Sequence, residues 1–137
     1  MKYKEWRFLK LTFNDGVQDC GVHPYIVLLD NLKNNCSEYL LIKCKTFNPI
    51  KHGQYISDGT DIIVKLKRTS LANLIEPFEH DNSLFSESSN GIVSDDDFNN
   101  LGISFYSCTH NNNNPIYKKH EADLINRLRE NNLIQEN

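Results

Sequence analysis

The apolar positions of this chain fall in short, separate runs divided by polar, Gly- and Asn-bearing stretches. The clearest run is Tyr25-Ile26-Val27-Leu28-Leu29, entered from the polar approach Asn14 to Cys20 through Gly21-Val22-His23-Pro24. Unbroken apolar character with β-branched and aromatic residues predicts a buried central strand over 24–30. Proline is tolerated at the first residue of a strand, so Pro24 marks its start and His23 stands where loop meets core. Asn31 to Ser37 is turn chemistry, and Glu38 to Lys45 returns as a second strand, giving an antiparallel hairpin. Ahead of it, Tyr3 to Phe13 alternates loosely and predicts a first strand with one aromatic face turned inward.

Beyond the hairpin, Thr46 to Gly53 reads as an irregular connection, because Pro49 and Gly53 interrupt regular structure. Thr60 to Lys67 carries β-branched residues and then alternates cleanly, which predicts a fourth strand. Ser70 to Phe78 predicts a further strand crossing the others, and the acidic, serine-rich residues 79–90 predict a loop. Ser94 followed by Asp95, Asp96 and Asp97 is a helix start, since a serine N-cap and early carboxylates suit the exposed amides of a first turn. Asn111 to Asn114 with Pro115 is a low-complexity break. His120 to Asn131 then places Ala122, Leu124, Ile125 and Leu128 on one helical stripe. Short strands with peripheral helices predict a mainly β fold: a small, strongly bent barrel of the SH3-like kind over residues 1–110, then an Asn-rich linker and C-terminal amphipathic helix over 111–137.

Composition narrows the class. At 137 residues, 39% of them apolar, the chain is long enough for one domain with a real core. The formal net charge of −3 excludes a uniformly basic coat but hides an asymmetry. Residues 40–70 carry six basic side chains (Lys43, Lys45, Lys51, Lys65, Lys67, Arg68) against Asp58 and Asp61, whereas residues 76–100 carry seven acidic ones and no basic one. Lys43 and Lys45 share a strand face by the period of two, as do Lys65 and Lys67. Two such pairs on adjacent strands would form a basic groove for phosphates. Tyr55 and Phe47 lie beside it, where aromatic rings can stack on unpaired bases.

The four cysteines (Cys20, Cys36, Cys44, Cys108) show no CxxC, and Cys108, His110 and His120 match no zinc spacing. Asp95 to Asp97 point in different directions on a helix, which disfavours a magnesium cluster. Cys20 near His23 is read as an idle loop thiol rather than a nucleophile pair. With no signal-like N-terminal segment and no apolar run long enough for a membrane, the expectation is a soluble cytoplasmic protein with reduced thiols, no metal and no cofactor.

Two stretches carry a family likeness: Asp19-Cys20-Gly21-Val22-His23-Pro24-Tyr25-Ile26-Val27-Leu28, and the strand end Leu41-Ile42-Lys43-Cys44-Lys45-Thr46. Gly91-Ile92-Val93-Ser94-Asp95-Asp96-Asp97-Phe98 adds a third. In order, over roughly residues 5–101, they resemble the MazF/PemK/Kid toxins of bacterial toxin–antitoxin pairs. There a loop leads to a basic residue before proline, then an apolar strand, then a second strand closing near a threonine. Here His23 stands where the best-known members have arginine, and residues 102–137 exceed the usual domain. The resemblance implies a metal-independent endoribonuclease that cuts single-stranded RNA through 2′-hydroxyl attack. His23 would serve in acid–base chemistry and Thr46 would bind the scissile phosphate, with Lys43, Lys45, Lys51, Tyr55, Lys65 and Lys67 on the RNA. It also implies a homodimer neutralised by a cognate antitoxin protein. The alternative is a non-catalytic interaction module on the same barrel, an inhibitor from a phage or mobile element or an RNA-binding protein, since fold does not decide function.

Overall fold

The computed structural model describes residues 4–9, 21–30, 38–81, 89–109 and 114–135. Among these residues the chain runs β1 (Glu5–Leu9), β2 (His23–Leu29), β3 (Glu38–Thr46), α1 (Pro49–Ser57), β4 (Asp61–Lys65), β5 (Thr69–Asn73), β6 (Phe78–Asp81), β7 (Gly91–Ile92), α2 (Asp95–Thr109) and α3 (Pro115–Glu130). The strands form one antiparallel sheet ordered β4-β5-β3-β2-β1-β7, with β6 paired to the first half of β3. The class expected from the pattern is therefore the class found: a curled, mainly β sheet with helices packed against it.

The hairpin of β2 and β3 is the centre of the sheet, with Tyr25 opposite Lys43 and Ile26 opposite Ile42. The register shifts between Val27 and Leu29, an irregularity that adds twist. The unbroken apolar run of β2 exists because both faces of this strand are covered. Ile26 and Leu28 join Leu40, Ile42 and Cys44 in the larger core, while Tyr25 and Val27 join Leu9, Tyr39 and Leu41 in a smaller one capped by Phe78.

The larger core is closed by helices. Phe98, Leu101 and Phe105 of α2 and Tyr117, Leu124 and Leu128 of α3 are buried in it, and the Phe105 and Tyr117 rings meet edge to face with centroids 5.8 Å apart. The Ser94 hydroxyl accepts the Asp97 N–H at 3.2 Å, the expected cap of α2. Asn114 caps α3, accepting the Ile116 N–H at 2.9 Å, with Pro115 at the first helical position, where its missing N–H costs nothing. The helix thus begins five residues before His120, and its buried face is Tyr117, His120, Leu124 and Leu128, with Ala122 outside. His120, 1% exposed, is tolerated because its Nε2 lies 2.7 Å from Glu79 Oε2 of β6, which ties α3 to the sheet. The helix that followed the barrel as a separate segment in the sequence is part of its core.

Three expectations are corrected. Residues 49–57 are a helix, not an irregular connection. Asn48 accepts the Ile50 and Lys51 N–H groups, and Pro49 starts the helix rather than breaking it. Gly53 is tolerated within this helix, whose two ends are capped by Asn48 and Asp58. Residues 70–78 divide into β5 and the start of β6 around a turn in which Asn73 Oδ1 accepts the N–H groups of Ile75 and Glu76, each at 2.9 Å. Residues 79–81, placed in a loop by their acidity, belong to strand β6 (78–81), because Phe78 caps the smaller core and Glu79 is held by Lys119 and His120 of α3. The expected loop 14–20, the turn 31–37, residues 82–88 and the asparagines 111–113 lie outside the described residues, as do Cys20, Cys36 and His110.

Candidate functional site

His23 is the first residue of β2, set opposite Leu9 by the β1 register and adjacent to Gly21, on which a Cβ would stand 3.9 Å from His23 Nε2. Thr46 is the last residue of β3, opposite Ser70 of β5. Strand register, fixed by the cores beneath, brings these two ends to one rim of the sheet. Both line a cleft of about 330 Å³.

One wall of the cleft is aromatic. Trp6, buried, and Phe8, 46% exposed, sit two residues apart on β1 and meet edge to face with centroids 5.2 Å apart. The opposite wall is cationic: Lys67 and Arg68 come from the turn between β4 and β5, and Lys45 from β3. Among the described residues lining this cleft there is no carboxylate. Trp6 is held in place by a close approach, since a Cβ on Gly91 would fall 2.7 Å from Trp6 Nε1, which leaves only glycine room at that point of β7.

Of the side chains singled out in the sequence, His23, Thr46, Lys45 and Lys67 come together in the cleft. Lys43 does not line it, but lines a second groove of about 290 Å³ that shares His23 and Lys45. The two lysine pairs are not on adjacent strands, because β5 separates β3 from β4. Lys65 stands at the end of β4, where its N–H donates to Asp97 Oδ2 at 2.8 Å, and lines neither groove. Lys51 is exposed on α1 and lines neither groove either. Tyr55, also on α1, lies under the Lys45 ammonium, 4.9 Å from its ring centroid, and stacks with His52 at 6.0 Å. His52 is oriented by the Asn48 N–H, which donates to its Nδ1 at 3.0 Å. Tyr55 and His52 thus form a ring pair one lysine away from the cleft.

Sequence reasoning did not assign Trp6, Phe8 or Arg68 to the site. The spacing of Trp6 and Phe8 put them on one strand face, but a period of two cannot tell a core-facing pair from one that leaves the core at the strand's end. Arg68 was visible as charge, and only the β4–β5 turn aims it at the cleft.

The Cys44 thiol beside the second groove is structural. Burial pushes the Cys44 thiol far up from its ordinary range, with Asp61 adding to the shift, so this sulfur stays protonated and unreactive. Among the described residues no three His, Cys, Asp or Glu side chains gather so as to hold a metal ion, and no helix is long and apolar enough to cross a membrane. The cleft can therefore offer an imidazole, a hydroxyl, three positive charges and an apolar aromatic wall. No protein-family model matches the chain, and no curated protein matches it significantly.

Proposed function

We propose that this protein is an endoribonuclease that cuts single-stranded RNA by attack of a 2′-hydroxyl on the adjacent phosphate. The observation that carries this reading is the meeting of His23 and Thr46 in a cleft whose described lining holds no carboxylate, with Lys45, Lys67 and Arg68 on one side and Trp6 and Phe8 on the other. Phosphates favour the cationic wall, and unpaired bases favour the aromatic one.

The 2′-hydroxyl gives its proton to the His23 imidazole and its oxygen attacks phosphorus, forming the cyclic phosphate as the bond to the 5′-oxygen breaks. Imidazole is the side-chain group most often used for such proton transfer. Lys67, Arg68 and the Thr46 hydroxyl face the charge that builds on the phosphorane oxygens, where fixed donors stabilise the transition state most. The leaving 5′-oxygen takes up a proton from water and the His23 imidazolium returns its own to solvent, so atoms and charge balance without hydrolysis in this step. Together with the sequence resemblance, this makes a toxin of an antitoxin-controlled pair, acting as a homodimer, the biological setting we propose.

The test is incubation of purified protein with end-labelled single-stranded RNA in excess EDTA, beside His23→Ala. The expected result is cleavage by the native chain and a rate lower by roughly 10²–10⁴ in the variant, the usual worth of an acid–base group. RNA left intact by the native chain would replace the nuclease with a binding module on the same sheet, and equal rates would remove His23 from the chemistry.

A further inference from the structure

The second groove has a composition that the cleft does not explain. Lys45 and Leu71 face each other across β3 and β5, and Asn73 faces Asp61 across β5 and β4. Leu71 and Asn73 are two residues apart and so share a face, about 7 Å from one another along the strand. Buried Leu71 gives this face an apolar floor, and Asp61 and Glu76 add carboxylates to the lining.

Asp61 is the informative residue. It is 6% exposed, its Oδ1 accepts the Thr60 hydroxyl at 2.7 Å, and no cation pairs with it among the described residues. This carboxylate lines the groove, where it can accept from the donors of a bound group. Glu76 is held over the same groove by a rigid turn. Asn73 Oδ1 binds the Ile75 and Glu76 amides, the Leu74 N–H donates to the Thr60 carbonyl at 2.9 Å, and Leu74 and Pro77 on either side are buried.

We propose that this groove binds a guanine base, the Asp61 and Glu76 carboxylates accepting from its N1–H and N2–H and Lys45 facing its O6. Guanine is the one RNA base that places two parallel donors beside an acceptor, which suits carboxylates on one side and an ammonium on the other. Because His23 and Lys45 line both cavities, the guanine belongs to a nucleotide next to the phosphate that is cut. The assignment rests on the neighbouring cleft being an RNA site.

The experiment is calorimetric titration of the native protein and of Glu76→Gln with GMP, AMP, CMP and UMP, each separately, beside the RNA cleavage assay. Glu76 is exposed and makes no core contact, so the variant should fold, as circular dichroism checks. GMP should bind the native protein at least about tenfold more tightly than the other three, and Glu76→Gln should lose about tenfold for GMP with the others within twofold of native. Four affinities within twofold of each other, or a GMP affinity untouched by Glu76→Gln, would overturn the assignment. GMP preference in a protein that leaves RNA intact keeps the groove and removes the nuclease. Cleavage indifferent to guanine keeps the nuclease and removes the groove.

Discussion

Replacing Leu124 by alanine asks whether α3 is part of the molecule's stability or an attachment to it. The side chain is 1% exposed and belongs to the larger core with Phe105, Tyr117 and Leu128. Truncation removes three carbons from a packed site and leaves a cavity, which costs about 3 kcal/mol for Leu→Ala at such positions. Unfolding entropy near the midpoint is about 2.1 cal/mol/K per residue, or about 0.29 kcal/mol/K for 137 residues, so Tm should fall by about 10 °C. Differential scanning calorimetry measures it, with Ile50→Ala as control: Ile50 is 95% exposed on α1 and should shift Tm by no more than about 2 °C. The whole margin of such a domain is about 5–15 kcal/mol, so the expected loss is large and hard to miss. A shift for Leu124→Ala as small as the control's would refute the placement of α3 in the core.

Gly91→Ala drives a Cβ against Trp6 Nε1 and should destabilise the fold by about 1–3 kcal/mol while displacing the cleft's indole, read as a changed tryptophan emission; native emission and stability would contradict the packing. The chain has one tryptophan, so adding single-stranded RNA should perturb Trp6 fluorescence directly, and saturating RNA without spectral change would place the RNA elsewhere. Burial raises the pKa of the Cys44 and Cys108 thiols, and burial with Asp30 and Glu5 raises that of the Tyr39 hydroxyl. The unfolded chain therefore gives up these protons first as pH rises, so their stabilising contribution is whole below about pH 8.5 and shrinks above it. Urea midpoints at pH 7 and pH 10 should show the decline, and a higher midpoint at pH 10 would reverse the sign of these shifts.

The strands were legible where burial left a simple signature. The run Tyr25 to Leu29 reads as a strand covered on both faces, and Asp61 to Lys65 reads as a strand from its three β-branched residues and the alternation that continues from Val64 to Lys67. Helix α1 was hidden because Pro49 and Gly53 look like breakers unless Asn48 is recognised as a cap that turns the proline into a first helical residue. Strand β6 was hidden because its acidic residues lie on an edge, where only the pairing partner β3 and the anchor Phe78 reveal a strand. At the site, His23 and Thr46 could be named together only through the family resemblance, and the β2–β3 hairpin is what brings those two strand ends to one rim. The partition of the lysines could not be read, since it depends on β5 inserting between β3 and β4, a matter of topology rather than periodicity.

Product ends test the central claim most directly. Native protein in EDTA would be given a defined single-stranded RNA and, in parallel, the same strand carrying one 2′-deoxynucleotide at the mapped cleavage point, with the fragments read by mass spectrometry. Attack by the 2′-hydroxyl in the His23 cleft predicts a 2′,3′-cyclic phosphate on one fragment, a 5′-hydroxyl on the other, and no cleavage at the 2′-deoxy position. Fragments bearing 5′-phosphates, or cleavage that ignores the missing hydroxyl, would contradict it.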